Sequence, residues 1–259
     1  AVDVAGLSSS MSVRLDRVVT QTAAFSFDRL NPIKRKAASN PDALALIIGV
    51  ADYKETNATA VYADSDAKVF TDYAVEKLGV PRGRIKTLVN DGADEKDVLL
   101  AVKRWLSRGA SAGKTDVYIF FAGHGLASDD GQKMYLLPYD GAPELLDDTA
   151  ISRERLFSDI ASAKPRSVTV FLDTCYSGTT RGTDMLIASR PIGIRALEQS
   201  IPDNFTVMTA AAVDETAKPL EEAKHGMFSY FLMKGMEGEA DTNNDNQITA
   251  GELHAYVEQ

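Results

Sequence analysis

Ser167 to Gly178 reads SVTVFLDTCYSG, and this stretch decides the fold. Its first half, Val168-Thr169-Val170-Phe171-Leu172, is apolar and β-branched, as a strand buried in a parallel sheet requires. Asp173, Thr174 and Cys175 follow at its carboxyl end, and Ser177-Gly178 makes a turn. A second run, Val117 to Phe121, ends in Ala122-Gly123-His124-Gly125. Open α/β sheets gather ligands outside the carboxyl ends of their strands. About fifty residues separate His124 from Cys175, enough for one crossover between neighbouring parallel strands. Such strands would present an imidazole and a thiol side by side.

The rest of the chain alternates in the same way. Leu44–Val50 (LALIIGV), Arg84–Val89, Tyr135–Pro138 and Phe205–Ala211 read as strands. Helices are expected from Asp64 to Leu78, Glu95 to Arg108, Ser152 to Ala163, Gly226 to Met236 and Thr249 to Gln259, with Asp94 as a cap and Trp105 as a core anchor. Alternating strands and helices predict an α/β sandwich with a mostly parallel central sheet. Residues 1–40 read as an arm or linker, with the solvated basic run Lys34-Arg35-Lys36, and residues 41–259 as one domain.

The chain has 259 residues, 44% hydrophobic, enough for one large core. A formal net charge of −9 argues against nucleic acid and anionic membranes and suits a cationic substrate. No run is long and apolar enough to span a membrane, so a soluble protein is expected. Cys175 is the only cysteine, which excludes an internal disulfide. The chain opens Ala1-Val2-Asp3 with no methionine, which fits an excised piece or an exported chain that has lost its signal; the compartment stays open.

A thiol becomes a nucleophile when an imidazole draws its proton. Gly123 and Gly125 leave room around His124, and a backbone N–H beside either residue would stabilise an oxyanion. His124 and Cys175 are therefore the candidate catalytic pair. His225 reads as structural and His254 as solvated.

FAGHG followed by LDTCYSG resembles the caspase-like cysteine peptidases, whose histidine precedes the cysteine by about fifty residues. Asp173 stands where caspases have Gln, which is similar to metacaspases and the bacterial orthocaspases. LIIGVADY, Asp64-Ser65-Asp66-Ala67, YLLPYD, VMTAA and His225-Gly226-Met227-Phe228 extend the resemblance over residues 43–259. It implies a caspase-like α/β/α sandwich and a cysteine endopeptidase with an oxyanion hole at Gly125 and Cys175. Asp52 and Asp173 are expected to line the S1 pocket, and two carboxylates favour Arg or Lys before the scissile bond. Arg181, Arg190 and Arg195 are then candidate self-cleavage sites in the long 179–202 connection. Protein or peptide substrates and a monomeric state follow by analogy. No cofactor is required for this chemistry. A catalytically silent scaffold or calcium-responsive module is the alternative, and intact His124 and Cys175 argue against it.

Asp241 to Glu252 (DTNNDNQITAGE) fits the twelve-residue EF-hand loop. Asp241, Asn243, Asp245, Gln247 and Glu252 are the candidate Ca²⁺ ligands, with Asn246 where Gly is usual. Asp147-Asp148 resembles part of the separate acidic cluster through which metacaspases bind calcium, and reads equally as a helix-start pair.

Overall fold

The computed structural model describes residues 27–128, 130–174, 176–178, 201–210 and 219–258. Three strands come first: β1 Leu44–Gly49, β2 Ile85–Val89 and β3 Asp116–Ala122. Then come β4 Gly125–Ala127, β5 Met134–Leu136, β6 Ile151–Ser152, β7 Ser167–Asp173, β8 Tyr176–Gly178 and β9 Phe205–Thr209. The short strands β10 Pro219–Leu220 and β11 His225–Gly226 complete the set among the described residues. The main sheet has the order β2-β1-β3-β7-β9 and every pair in it is parallel. A small sheet of order β6-β5-β4-β8 adjoins it in sequence, and β10 pairs with β11.

The helices are α1 Ala63–Glu76, α2 Glu95–Leu100, α3 Ser107–Gly109, α4 Leu146–Thr149, α5 Arg153–Ala161, α6 Met227–Lys234 and α7 Ala250–Val257. A wider π-helical turn, Ala101–Leu106, joins α2 to α3, so the helix expected over 95–108 is continuous but changes pitch. Asp94 caps it as expected, its side chain accepting the Asp97 N–H at 2.6 Å.

Alternation along the strands supplies two cores. Leu46 and Ile48, Ile119 and Phe121, and Val170 and Leu172 face α2 and α5. Ala45, Ile47, Phe120 and Phe171 face α1 and α6. Both faces of the sheet are covered, which is why its central strands β1 and β3 read as largely apolar runs, while the edge strands β2 and β9 carry polar positions. Phe120 and Phe70 stack at 4.3 Å across the second core. Trp105 is not a central anchor: it packs half-buried at the margin of the first core and lines a surface recess with Arg84, Arg104 and Arg108.

Of the basic run 34–36, Lys34 and Lys36 are exposed as expected, whereas Arg35 is docked. Lys36 pairs with Glu76 at 2.9 Å and Arg35 with Asp241 at 2.8 Å. Among the described residues, no helix is long and apolar enough to cross a membrane.

Candidate active site

β3 and β7 lie side by side, with Ala122 opposite Asp173. Both then leave the main sheet. They pair again in the small sheet, where Gly125 of β4 lies opposite Tyr176 of β8. Each link between the two pairings is two residues long: Gly123-His124 in one strand, Thr174-Cys175 in the other. Cys175 lies outside the described residues.

Gly123 has φ 153°, a region that L side chains avoid. A Cβ there would fall 2.8 Å from Tyr53 Oη. The Gly123 N–H donates to the Asp173 carbonyl at 3.2 Å, tying the two links together. The backbone N–H of His124 donates to Tyr53 Oη at 2.7 Å, and its ring stacks on Tyr53 with centroids 4.9 Å apart. The His124 carbonyl accepts from Leu137 N–H at 3.0 Å. The imidazole is thus held by backbone and by ring stacking.

Burial holds the His124 imidazole below its usual range, and a hydrogen bond to the Ala58 backbone pulls the other way. Its Nε2 is buried and has no partner among the described residues. An unsatisfied buried nitrogen costs roughly 1–3 kcal/mol. Tyr53 is pushed above the ordinary phenol range by burial, so its hydroxyl stays protonated.

Asp173 is buried, and its Oδ2 accepts from both the hydroxyl and the N–H of Ser229, at the start of α6. Asp66, from the first turn of α1, is also buried. Its Oδ1 meets His225 Nδ1, and its Oδ2 accepts the Gly226 N–H at 2.8 Å. Gly226 lies against both acids: a Cβ there would be 2.5 Å from Asp173 Oδ2 and 3.2 Å from Asp66 Oδ2. Only glycine lets β11 approach two carboxylates this closely. Desolvation, reinforced by the charge on Asp66, pushes Asp173 up to about 6, while the Ser229 bonds oppose it. Burial likewise raises Asp66, and its bonds to His225 and Gly226 offset part of the shift.

A model of the caspase domain matches residues 42–259. The chain belongs to the caspase domain family. That family is one of cysteine peptidases. This caspase domain is similar in fold to a protein from Geobacter sulfurreducens, at 15% identity and a TM-score of 0.57, covering 84% of this chain and 88% of that one. It is similar also to caspase-1 from Spodoptera frugiperda, at 14% identity and a TM-score of 0.54, covering 92% of this chain and 82% of that one. No curated protein matches the sequence.

Within the caspase domain, the residues expected at the site fall into three groups. His124, Gly125 and Asp173 come together where β3 and β7 pass into the small sheet. Asp52 is exposed, next to Tyr53 in the chain, and its N–H points to the Asn90 carboxamide oxygen at 3.4 Å. The acid that acts on Asp173 is Asp66. It was legible only as a helix-start residue, because its partners lie on β11, far along the chain. His225 is structural in a sharper sense than expected, as the group standing on Asp66. Arg181, Arg190 and Arg195 lie outside the described residues.

The remaining acids stand apart. Asp147 is taken up by Tyr135 Oη and by Lys133 Nζ at 2.9 Å, in the first turn of α4. His254 is exposed and faces Glu258. Asp241 to Glu252 forms a loop leading into α7, with Thr249 and Glu252 making a capping box. Among the described residues, no group of three or more His, Cys, Asp or Glu is arranged to hold a metal.

Proposed function

We propose that this caspase domain is a cysteine endopeptidase that cleaves after Arg or Lys, with Cys175 as nucleophile and His124 as its base and acid. The observation that carries this reading is the matched pair of links. Ala122–Asp173 and Gly125–Tyr176 bracket positions 124 and 175 from both sides, and His124 Nε2 lacks a partner among the described residues. A ring whose other nitrogen donates to the Ala58 carbonyl carries its lone pair on Nε2. Lowered by burial, it is neutral at pH 7 and free to accept the Cys175 proton.

The thiolate sulfur then bonds to the scissile carbonyl carbon, and the carbonyl electrons move to oxygen. The N–H groups of Gly125 and Cys175 are the donors we assign to that oxyanion. Collapse expels the amine, which takes the proton from His124, and leaves a thioester on Cys175. Water adds to the thioester with His124 as base, releasing the carboxylate and restoring the thiol. No metal or organic cofactor enters these steps, and calcium modulation belongs, in our reading, to the 241–252 loop.

Specificity follows from Asp66 and Asp173. Paired carboxylates recognise a guanidinium or ammonium, and His225 must yield Asp66 to it. This replaces Asp52 by Asp66 as the partner of Asp173. The same preference makes Arg181, Arg190 and Arg195 self-cleavage sites. Protein or peptide substrates and a monomer complete the reading.

The test is a pair of fluorogenic peptides ending in Arg and in Asp. Arg cleavage is expected and Asp cleavage is not; turnover of neither peptide would favour the silent scaffold. The pH profile separates the two clusters. A carboxylate raised to about 6 is protonated below that pH and ionised above it. KM for the Arg peptide should therefore fall as pH rises through about 6, and Asp173→Asn should abolish that limb. A KM flat from pH 5 to 8 would remove Asp173 from the pocket.

A further inference from the structure

At the end of the main sheet away from the catalytic links lies a recess of about 470 Å³ that the peptidase chemistry does not use. Leu44, the first residue of β1, forms its floor with Gly109, on which a Cβ would fall 3.1 Å from Leu44 Cδ1. Lys86, on the edge strand β2, lines one side. Arg104, Trp105 and Arg108, from the helical stretch that joins α2 to α3, line the other. Leu44 pairs with Val117 near the start of β3, whereas His124 follows that strand's last residue. Roughly 20 Å of strand therefore separates the recess from His124.

Four cations line this recess and no acidic residue does. Arg84 is fixed in place: its Nε donates to the Ala43 carbonyl and its Nη2 to the Gly109 carbonyl, both at 2.9 Å. Carbonyls orient the guanidinium but carry no net charge to offset it. Nearby cations do find acids: Arg82 pairs with Asp72 at 2.8 Å and Lys103 with Asp159 at 3.4 Å. Lys86, Arg104 and Arg108 have no ion pair among the described residues. In a chain of formal net charge −9, this is a local reversal of sign. Like charges gathered in a concavity focus their field and attract the opposite sign.

The lining also says which kind of anion fits. Leu100 is 38% exposed and Trp105 is half-buried, so apolar surface lies among the cations. That mixture matches carboxylates interspersed with an aliphatic side chain. β2 pairs with β1 alone among the described residues, which leaves its outer edge to another extended chain. No glycine-rich run lines the recess to cradle a phosphate; its two glycines, Gly83 and Gly109, come from different elements.

We propose that this recess docks an extended acidic segment of a partner protein. Its carboxylates meet Lys86, Arg104 and Arg108, and an aliphatic side chain packs against Leu100 and Trp105. A protein held there leaves the catalytic links open.

Trp105 is the single tryptophan of the chain, so its emission reports on the recess directly. The full chain is titrated with a Glu-Glu-Leu repeat peptide and with a Gln-Gln-Leu repeat of equal length; neither offers the peptidase a basic residue. The acidic peptide should shift Trp105 emission saturably, and the neutral one should not. Raising NaCl from about 0.05 M to about 0.5 M should weaken binding severalfold, because exposed pairs are screened. Arg104 and Arg108 are both exposed, so the double variant Arg104→Glu, Arg108→Glu should melt as the wild type does and bind at least about tenfold more weakly. Lys86→Glu should act in the same direction. Calorimetry of the same titrations supplies the affinity where a substitution itself alters the emission. No saturable binding at about 1 mM acidic peptide, the weak end of specific affinities, or an affinity unchanged by the double reversal, would overturn the site. ATP bound at these residues more tightly than the acidic peptide would overturn the peptide assignment.

Discussion

Cys175→Ala is expected to lower kcat/KM for an Arg-ending peptide by at least roughly 10³-fold, about 4 kcal/mol of transition-state stabilisation. The expectation follows from the division of labour at the two links. Without sulfur there is no thioester, and His124 has no proton to take. Binding and oxyanion donors remain, so a small residual rate over water is expected rather than none. The variant should melt at the wild-type temperature, because replacing one sulfur by hydrogen is a small change in side-chain volume. It should also migrate as an intact chain where the wild type is cut near Arg181, Arg190 or Arg195. Equal activity in wild type and variant would assign the chemistry to another group.

The second large effect concerns specificity. Asp173→Asn keeps an oxygen for the Ser229 hydroxyl and N–H but removes the charge. Losing one member of a buried charged contact costs about 2–4 kcal/mol, so kcat/KM for the Arg peptide should fall about 10²-fold or more. Asp66→Asn should act similarly, since the two carboxylates share the space under Gly226. Stability should move the other way for Asp173. An acid raised to about 6 binds its proton more tightly in the folded state than in the unfolded one. Its contribution to stability is therefore present in acid and lost as pH rises through about 6. At pH 7 the ionised carboxyl burdens the fold, and Asn relieves it. Asp173→Asn should lose Arg cleavage while melting no lower than the wild type. Loss of both together would make Asp173 a structural residue only.

Much of this architecture is legible in the sequence because the main sheet is buried on both faces. Leu44–Val50 is apolar throughout and Val168–Leu172 is broken only by Thr169, and the ends of Val117–Phe121 and Val168–Leu172 mark His124 and Cys175. The small sheet is only partly legible: the expected strand Tyr135–Pro138 overlaps β5, but Ser177-Gly178, expected as a turn, belongs to β8. Gly125-Leu126-Ala127 and Met134-Tyr135-Leu136 are three residues long, too short for any period to register. Asp66 was hidden for a different reason: its value comes from His225 and Gly226, which only tertiary packing brings to it. Asp52 was favoured because it follows the first strand, and the chain turns it outward. Arg35 looked like one of three solvated cations until Asp241 supplied its partner.

The most direct test of the central claim is alkylation by a peptidyl-arginine chloromethyl ketone, followed by intact-mass and peptide mapping. The account predicts one adduct, on Cys175, formed far more slowly in His124→Ala and suppressed when Arg is replaced by Asp in the reagent. Labelling elsewhere, or equal rates with and without His124, would contradict it.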